Sequence, residues 1–201
     1  MSIRAHAAAA GLALWLVAAP AIVSSRAVSS PAGTSDGAFT LDLPDVPVVD
    51  QDGRAMRFRS ELLKDRTVAV NFVFTTCTTV CPALTTTMRA IQRELGDRVG
   101  QDVWLISVSV DPAVDRPERL RAFATGFGAG PGWTFVTGEP ADIDRLLKAF
   151  GSASGITAHA TTMLIGNAHT GRWVRTSGLA PAATNVKLIV DAARPGGVDG
   201  F

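Results

Sequence analysis

Cys77 and Cys81 are the two cysteines of this 201-residue chain, with three residues between them in Cys77-Thr78-Thr79-Val80-Cys81-Pro82. Two sulfurs at that spacing can share a soft metal ion, or pass between dithiol and disulfide. An apolar run over residues 68–74 precedes them, and helical spacing follows from Pro82. The pair therefore belongs to a strand-to-helix turn. A helix amino end carries unpaired N–H groups and partial positive charge, which hold a thiolate below its free pKa of about 8.5. The deprotonated sulfur is the form that binds metal and attacks disulfides. This loop is one residue wider than a C-x-x-C turn. It can close into a disulfide, or hold its sulfurs further apart on one ion.

Soft thiolates favour Cu(I), with zinc as a competitor, and two of them leave the ion under-coordinated. Past the leader-like first residues, the candidate third donors are His159 and His169. His159 stands in the Gly/Ser/Ala-rich segment 151–160, just ahead of a strand-like run at 161–165. Two thiolates and one imidazole suit Cu(I) and can also hold Cu(II). A closed zinc site would want a fourth ligand, and no cysteine remains to supply it. His169 lies in Asn167-Ala168-His169-Thr170-Gly171 and reads as a solvent-facing turn residue. Met88 falls in a helical apolar stripe and Met163 alternates within a strand, so both read as core. The run Thr85-Thr86-Thr87 reads as a polar helix face. A structural disulfide with no further role is the plain alternative for the cysteines.

The elements that must position these residues follow from periodicity. Residues 68–74 are nearly all apolar, as in a strand covered on both faces. The spacing predicts a helix over 82–95, with Pro82 at its first position and Gly96 as its stop. Further strands are expected at 103–110 and 133–136, and helices at 117–127 and 140–150. A hairpin is expected over 161–175 and a last helix over 182–193. Short strands at 39–43 and 46–49, with a turn at 50–53, read as an N-terminal hairpin. Strands alternating with helices imply parallel pairing and right-handed crossovers. The expected fold is α/β and thioredoxin-like: a central mixed sheet flanked by helices, an N-terminal hairpin, and a strand-helix insertion at 133–150. In such sheets ligands gather at the carboxyl ends of the strands, where the cysteines fall. The loop before the strand at 161 faces that end, bringing His159 toward the sulfurs. Ordinary thioredoxins place a cis-proline there, whereas this chain has no proline between Pro140 and Pro181.

A formal net charge of +1 and the lack of a basic stripe argue against a nucleic-acid binder. With 47% hydrophobic residues the chain has material for a real core. Arg4, an uncharged apolar run over 7–23 and small residues to 32 read as an export signal or a short membrane anchor over residues 1–29. Residues 30–38 read as a linker, 39–193 as the domain and 194–201 as a loose tail. Export places the thiols outside the cytoplasm, in a periplasmic-type compartment where disulfides persist.

Taken together, these motifs resemble the SCO/SenC family of thioredoxin-like copper proteins. Cys77-Thr78-Thr79-Val80-Cys81-Pro82 resembles its CxxxCP motif, and Val108-Ser109-Val110-Asp111-Pro112-Ala113-Val114-Asp115-Arg116-Pro117 is similar to its S-V-D-P-x-x-D-T-P segment. Trp133-Thr134-Phe135-Val136-Thr137-Gly138 resembles its W-x-F-L-T-G strand, and His159 ahead of Thr162-Met163-Leu164-Ile165 matches its ligand histidine. The resemblance covers about residues 39–193. It implies copper on Cys77, Cys81 and His159. It also implies delivery to the cytochrome c oxidase subunit carrying Cu(A), with other copper chaperones as further partners. Arg116 replaces the family's threonine, and Ala158 stands where an acidic residue often precedes the histidine. Asp111 and Asp115 read as loop-shaping or partner-contacting residues. The resemblance also permits a thiol–disulfide oxidoreductase acting on the oxidase subunit's cysteines, against which the missing cis-proline weighs. A peroxiredoxin-like peroxidase is the remaining alternative, but CxxxC spacing does not fit it.

Overall fold

A computed structural model of the chain describes residues 36–151 and 161–194. Its centre is the apolar run: β4 (Thr67–Val73) is buried at every position, because layers cover both of its faces. β5 (Val103–Ser109) runs parallel to β4, and β6 (Trp133–Thr137) parallel to β5. The crossovers are α1 (Val80–Leu95) and α2 (Pro117–Gly126). On the other side of β4 lies the antiparallel hairpin of β7 (Thr162–Asn167) and β8 (Arg172–Ser177). With the closing α4 (Ala182–Ala192) this is thioredoxin-like order. β6 and α3 (Pro140–Ala149) form the expected insertion.

The turn at 50–53 closes a hairpin between β2 (Pro47–Asp50) and β3 (Ala55–Arg57), and β2 lies antiparallel on β6. The strand expected at 39–43 is β1 (Asp36–Thr40), which goes to the opposite edge and pairs with β8. The sheet order is β1-β8-β7-β4-β5-β6-β2-β3. A helical turn at Phe58–Leu63 buries Phe58, Leu62 and Leu63, which the sequence pattern did not reveal.

Alternation along the strands splits the core in two. Val68, Val70 and Phe72 of β4 face Phe58, Leu63, α3 and Trp173. Ala69 and Val73 face Met88 and Ile91 of α1, Leu120 of α2 and Ile189 of α4. Gly166 sits opposite Trp173 in the β7–β8 ladder, and a Cβ there would lie 2.3 Å from the indole. Only glycine lets the ring lie flat on the strand. Met88 and Met163 are fully buried, as their spacing predicts.

α1 begins at Val80, two residues before the expected start. Pro82 is its third residue. The first-turn N–H groups have no intrahelical acceptor, so a proline there forfeits no bond. Thr85 is fully buried, not part of an exposed face, and its hydroxyl donates to the Cys81 carbonyl at 2.7 Å. Thr86 and Thr87 bond back in the same way to Pro82 and Ala83.

Candidate metal centre

β4, β5 and β6 all end at one edge of the sheet, and antiparallel β7 starts there, with Met163 opposite Asn71. The cysteine turn springs from this edge. Cys77 N–H donates to the Phe74 carbonyl at 3.1 Å, which turns the chain sharply after β4. Thr79, the N-cap residue of α1, makes no side-chain cap. The Cys77 sulfur takes that role: the Cys81 N–H, in the first turn, donates to Cys77 Sγ at 3.3 Å. The unpaired N–H groups of the helix start are thus met by a sulfur. Thr79 Oγ1 lies 3.8 Å from the same sulfur.

Both thiols are free and buried, Cys77 at 8% exposure and Cys81 at 1%. Their environments push them apart. Burial pushes the Cys77 thiol up, but hydrogen bonds from the Cys81 thiol and N–H and from Thr79 outweigh it and bring it down to about 7. Burial also pushes Cys81 up, and its hydrogen bond to Cys77 pushes the same way; the Phe74 N–H only partly opposes them, and it reaches about 12. The negative charges of Cys77 and Asp115 add to the rise. The pair therefore holds one ready thiolate and one proton-keeping thiol. A soft cation that displaces the second proton gains two anionic sulfurs.

The turn is held from the side by the loop after β5. Asp115, fully buried, accepts from the Thr75 N–H at 3.1 and 3.2 Å, the Thr75 hydroxyl at 2.6 Å and the Ser109 hydroxyl at 2.7 Å. Its own N–H donates to the Asp111 carbonyl at 2.8 Å, and the Asp111 N–H donates to Ser109 Oγ at 3.1 Å. Arg119 Nε donates to Thr75 Oγ1 at 3.3 Å. Asp115 shapes this loop and does not cap α2, whose N-cap position is Arg116. Asp115 also lines a cleft of about 280 Å³ with Val49, Pro112 and Thr137.

Of the expected ligands, Cys77 and Cys81 come together at this edge, while His159 lies outside the described residues. Thr161, two positions later, accepts from the Gly178 N–H at 2.7 Å. A Cβ on Gly178 would meet Leu84 of α1 at 2.6 Å. The strand that follows His159 thus starts against the helix that carries Cys81. His169 is at the far end of β7, 78% exposed, with Nδ1 3.5 Å from Asp65. That agrees with a turn residue. Among the described residues no group of three His, Cys, Asp or Glu side chains is placed to hold a metal ion. No helix among them is long and apolar enough to cross a membrane.

This chain is 38% identical over 104 residues to the SCO1 protein homolog of Bacillus subtilis, covering 50% of this chain and 52% of that protein. It is 31% identical over 109 residues to a Stutzerimonas stutzeri protein named for copper binding, covering 54% and 52%. The chain thus spans about half the length of the curated relatives it matches. Among solved structures it resembles a SCO1/SenC family lipoprotein from Bacillus anthracis, with 28% identity and a TM-score of 0.67 over 78% of this chain and 98% of that one. It also resembles BsSco, a member of the Sco family of cytochrome c oxidase assembly proteins in which a disulfide switch was identified. That match has 25% identity and a TM-score of 0.65, over 80% and 97% of the two chains. Residues 43–170, well over half of the chain, match the SCO1/SenC pattern, and the chain belongs to that family.

Proposed function

We propose that this protein is a copper carrier. It binds the ion through Cys77, Cys81 and His159 and hands it to the Cu(A)-bearing subunit of cytochrome c oxidase outside the cytoplasm. The observation that carries this reading is the pair of free, buried thiols brought together at the carboxyl edge of the sheet, with the Cys81 N–H on Cys77 Sγ at 3.3 Å. Two soft donors and one imidazole leave an incomplete shell, into which an acceptor's ligands can enter by exchange. The kinship with a protein named for copper binding and with an oxidase assembly protein points the same way. The lipoprotein relative and the leader-like residues 1–29 support an exported location, by cleavage or by an N-terminal anchor. The test is a Cu(I) titration of the reduced protein against a chelator, with metal analysis of the protein taken from the exported fraction. One tightly held copper per chain is expected. A reduced protein that leaves Cu(I) with the chelator overturns the reading.

The same thiol pair supports a second reading, a thiol–disulfide oxidoreductase. The Cys77 thiolate attacks a partner disulfide, forms a mixed disulfide and releases one partner thiolate. Cys81 then loses its proton and displaces the second partner sulfur. The chain ends as a Cys77–Cys81 disulfide and the partner as two thiols, with two electrons transferred. Rapid reduction of a peptide disulfide by copper-free protein favours this reading over the carrier.

A further inference from the structure

We propose that Asp115 is a positioning residue for the cysteine pair, acting through Thr75. This inference rests on the copper reading for its main readout, but its geometry stands apart from it. A fully buried carboxylate is costly unless its lone pairs are met, and among the described residues its side-chain and backbone donors come from two places, Thr75 and Ser109. Thr75 supplies its N–H and its hydroxyl, and Ser109 supplies its hydroxyl. Thr75 is the second residue after β4 and lies two positions before Cys77. Its neighbour Phe74 offers the carbonyl that turns the chain into Cys77. Ser109 is the last residue of β5. The carboxylate therefore fastens the start of the cysteine turn to the exit of the adjacent parallel strand. Val110 N–H donating to the Val73 carbonyl at 2.9 Å extends the ladder to the same point. Arg119 approaches Thr75 Oγ1 from the solvent side, so the hydroxyl is committed to the inward bond. Besides Asp115 and Arg119, no described side chain donates to or accepts from Thr75, so the inward side-chain tie at the start of the turn is this clamp. Partners that orient ligands typically change metal affinity about 10- to 100-fold when removed.

The experiment measures Cu(I) affinity by chelator competition on reduced protein carrying Asp115→Asn, Thr75→Val, Thr75→Ser and the double change Asp115→Asn with Thr75→Val. Asn puts an NH2 group where a Thr75 donor points, so Asp115→Asn lowers affinity by about 10- to 100-fold. Thr75→Val removes only the hydroxyl and lowers it by a few-fold, and Thr75→Ser restores the parental value. The double variant stays within about twofold of Asp115→Asn, because both changes release one clamp. Parental affinity in Asp115→Asn, or equal loss in Thr75→Ser and Thr75→Val, overturns the proposal. If Asp115→Asn does not fold, the Thr75→Val and Thr75→Ser pair decides alone. If the parent itself takes up no Cu(I), the copper reading has failed and the clamp is read without metal, from the disulfide equilibrium against a glutathione buffer. There Asp115→Asn shifts the constant at least about tenfold, close to 30 mV, from the parental value, and an unmoved constant overturns the proposal.

Discussion

The two ends of the β4–β7 pairing both carry residues that metals favour, and they differ in everything around them. At one end Cys77 and Cys81 are buried, the first capping a helix start and the turn before it fastened to a buried carboxylate. At the other end His169 and Asp65 face each other across 3.5 Å, at 78% and 66% exposure, on two surface turns. An exposed pair of this kind contributes little, since solvent screens it and both side chains remain free to move. Residue type thus marks both ends, but only the cysteine end has the framing that makes donors converge. The difference lies in what the strands do there. Three parallel strands stop together at the cysteine edge and leave their loops side by side, whereas the far end is a hairpin turn.

The comparison can be broken most forcefully at the sulfurs. Cys77→Ser or Cys81→Ser is expected to weaken Cu(I) binding by more than the roughly 100-fold upper range for partner residues, measured by chelator competition. Survival of tight binding in either variant would mean that the framed end is not the metal site. The next effect concerns stability. Cys77 falls from an ordinary 9.0 to about 7 in the folded protein, so the unfolded chain holds more protons between those values and reduced protein gains stability as pH rises from 7 to 9. Cys81 rises from 9.0 to about 12, so above pH 9 the folded chain keeps a proton that the unfolded chain has lost, and stability declines. Urea unfolding of reduced protein should show a maximum near pH 9, on the order of 2 kcal/mol above pH 7. The double serine variant should lack it, and an unchanged pH profile in that variant would remove the assigned asymmetry. His159→Ala is expected to cost at least the roughly tenfold that loss of an outer partner costs a metal site. Equal affinity in that variant would show that the third donor comes from elsewhere. The smallest effect is at the far end: His169→Ala should leave copper affinity unchanged and alter unfolding free energy by less than about 0.5 kcal/mol.

Much of this was legible in the chain, for identifiable reasons. The run at 68–74 announced a doubly covered strand because nothing polar but Asn71 interrupts it, and Asn71 is met by Ser107 at 2.6 Å. The stripe Leu84, Met88, Ile91, Leu95 announced α1, and all four residues are buried. α1 starts two residues before Pro82 because the whole first turn tolerates a proline, so proline's preference for the first helical position does not by itself fix the start. The partner of β1 was hidden, since Phe39 pairs with Trp173 and nothing local encodes so distant a contact. Asp115 was legible as a loop-shaper, but not as a clamp on the cysteine turn, because its acceptors meet donors 40 positions away in Thr75. The signal that could have found it was the pairing of Ser109 with Asp115 next to a strand end, six positions apart.

That separation of 40 positions has a consequence for the growing polypeptide. While the chain emerges from a ribosome or a translocation pore, its sulfurs appear long before the loop that fixes Thr75, and longer still before Met163 comes to lie beside Asn71. Contacts so far apart along the sequence form late, after the entropy of closing the intervening loops has been met. In a nascent chain the two thiols therefore emerge before the contacts that set their turn can form.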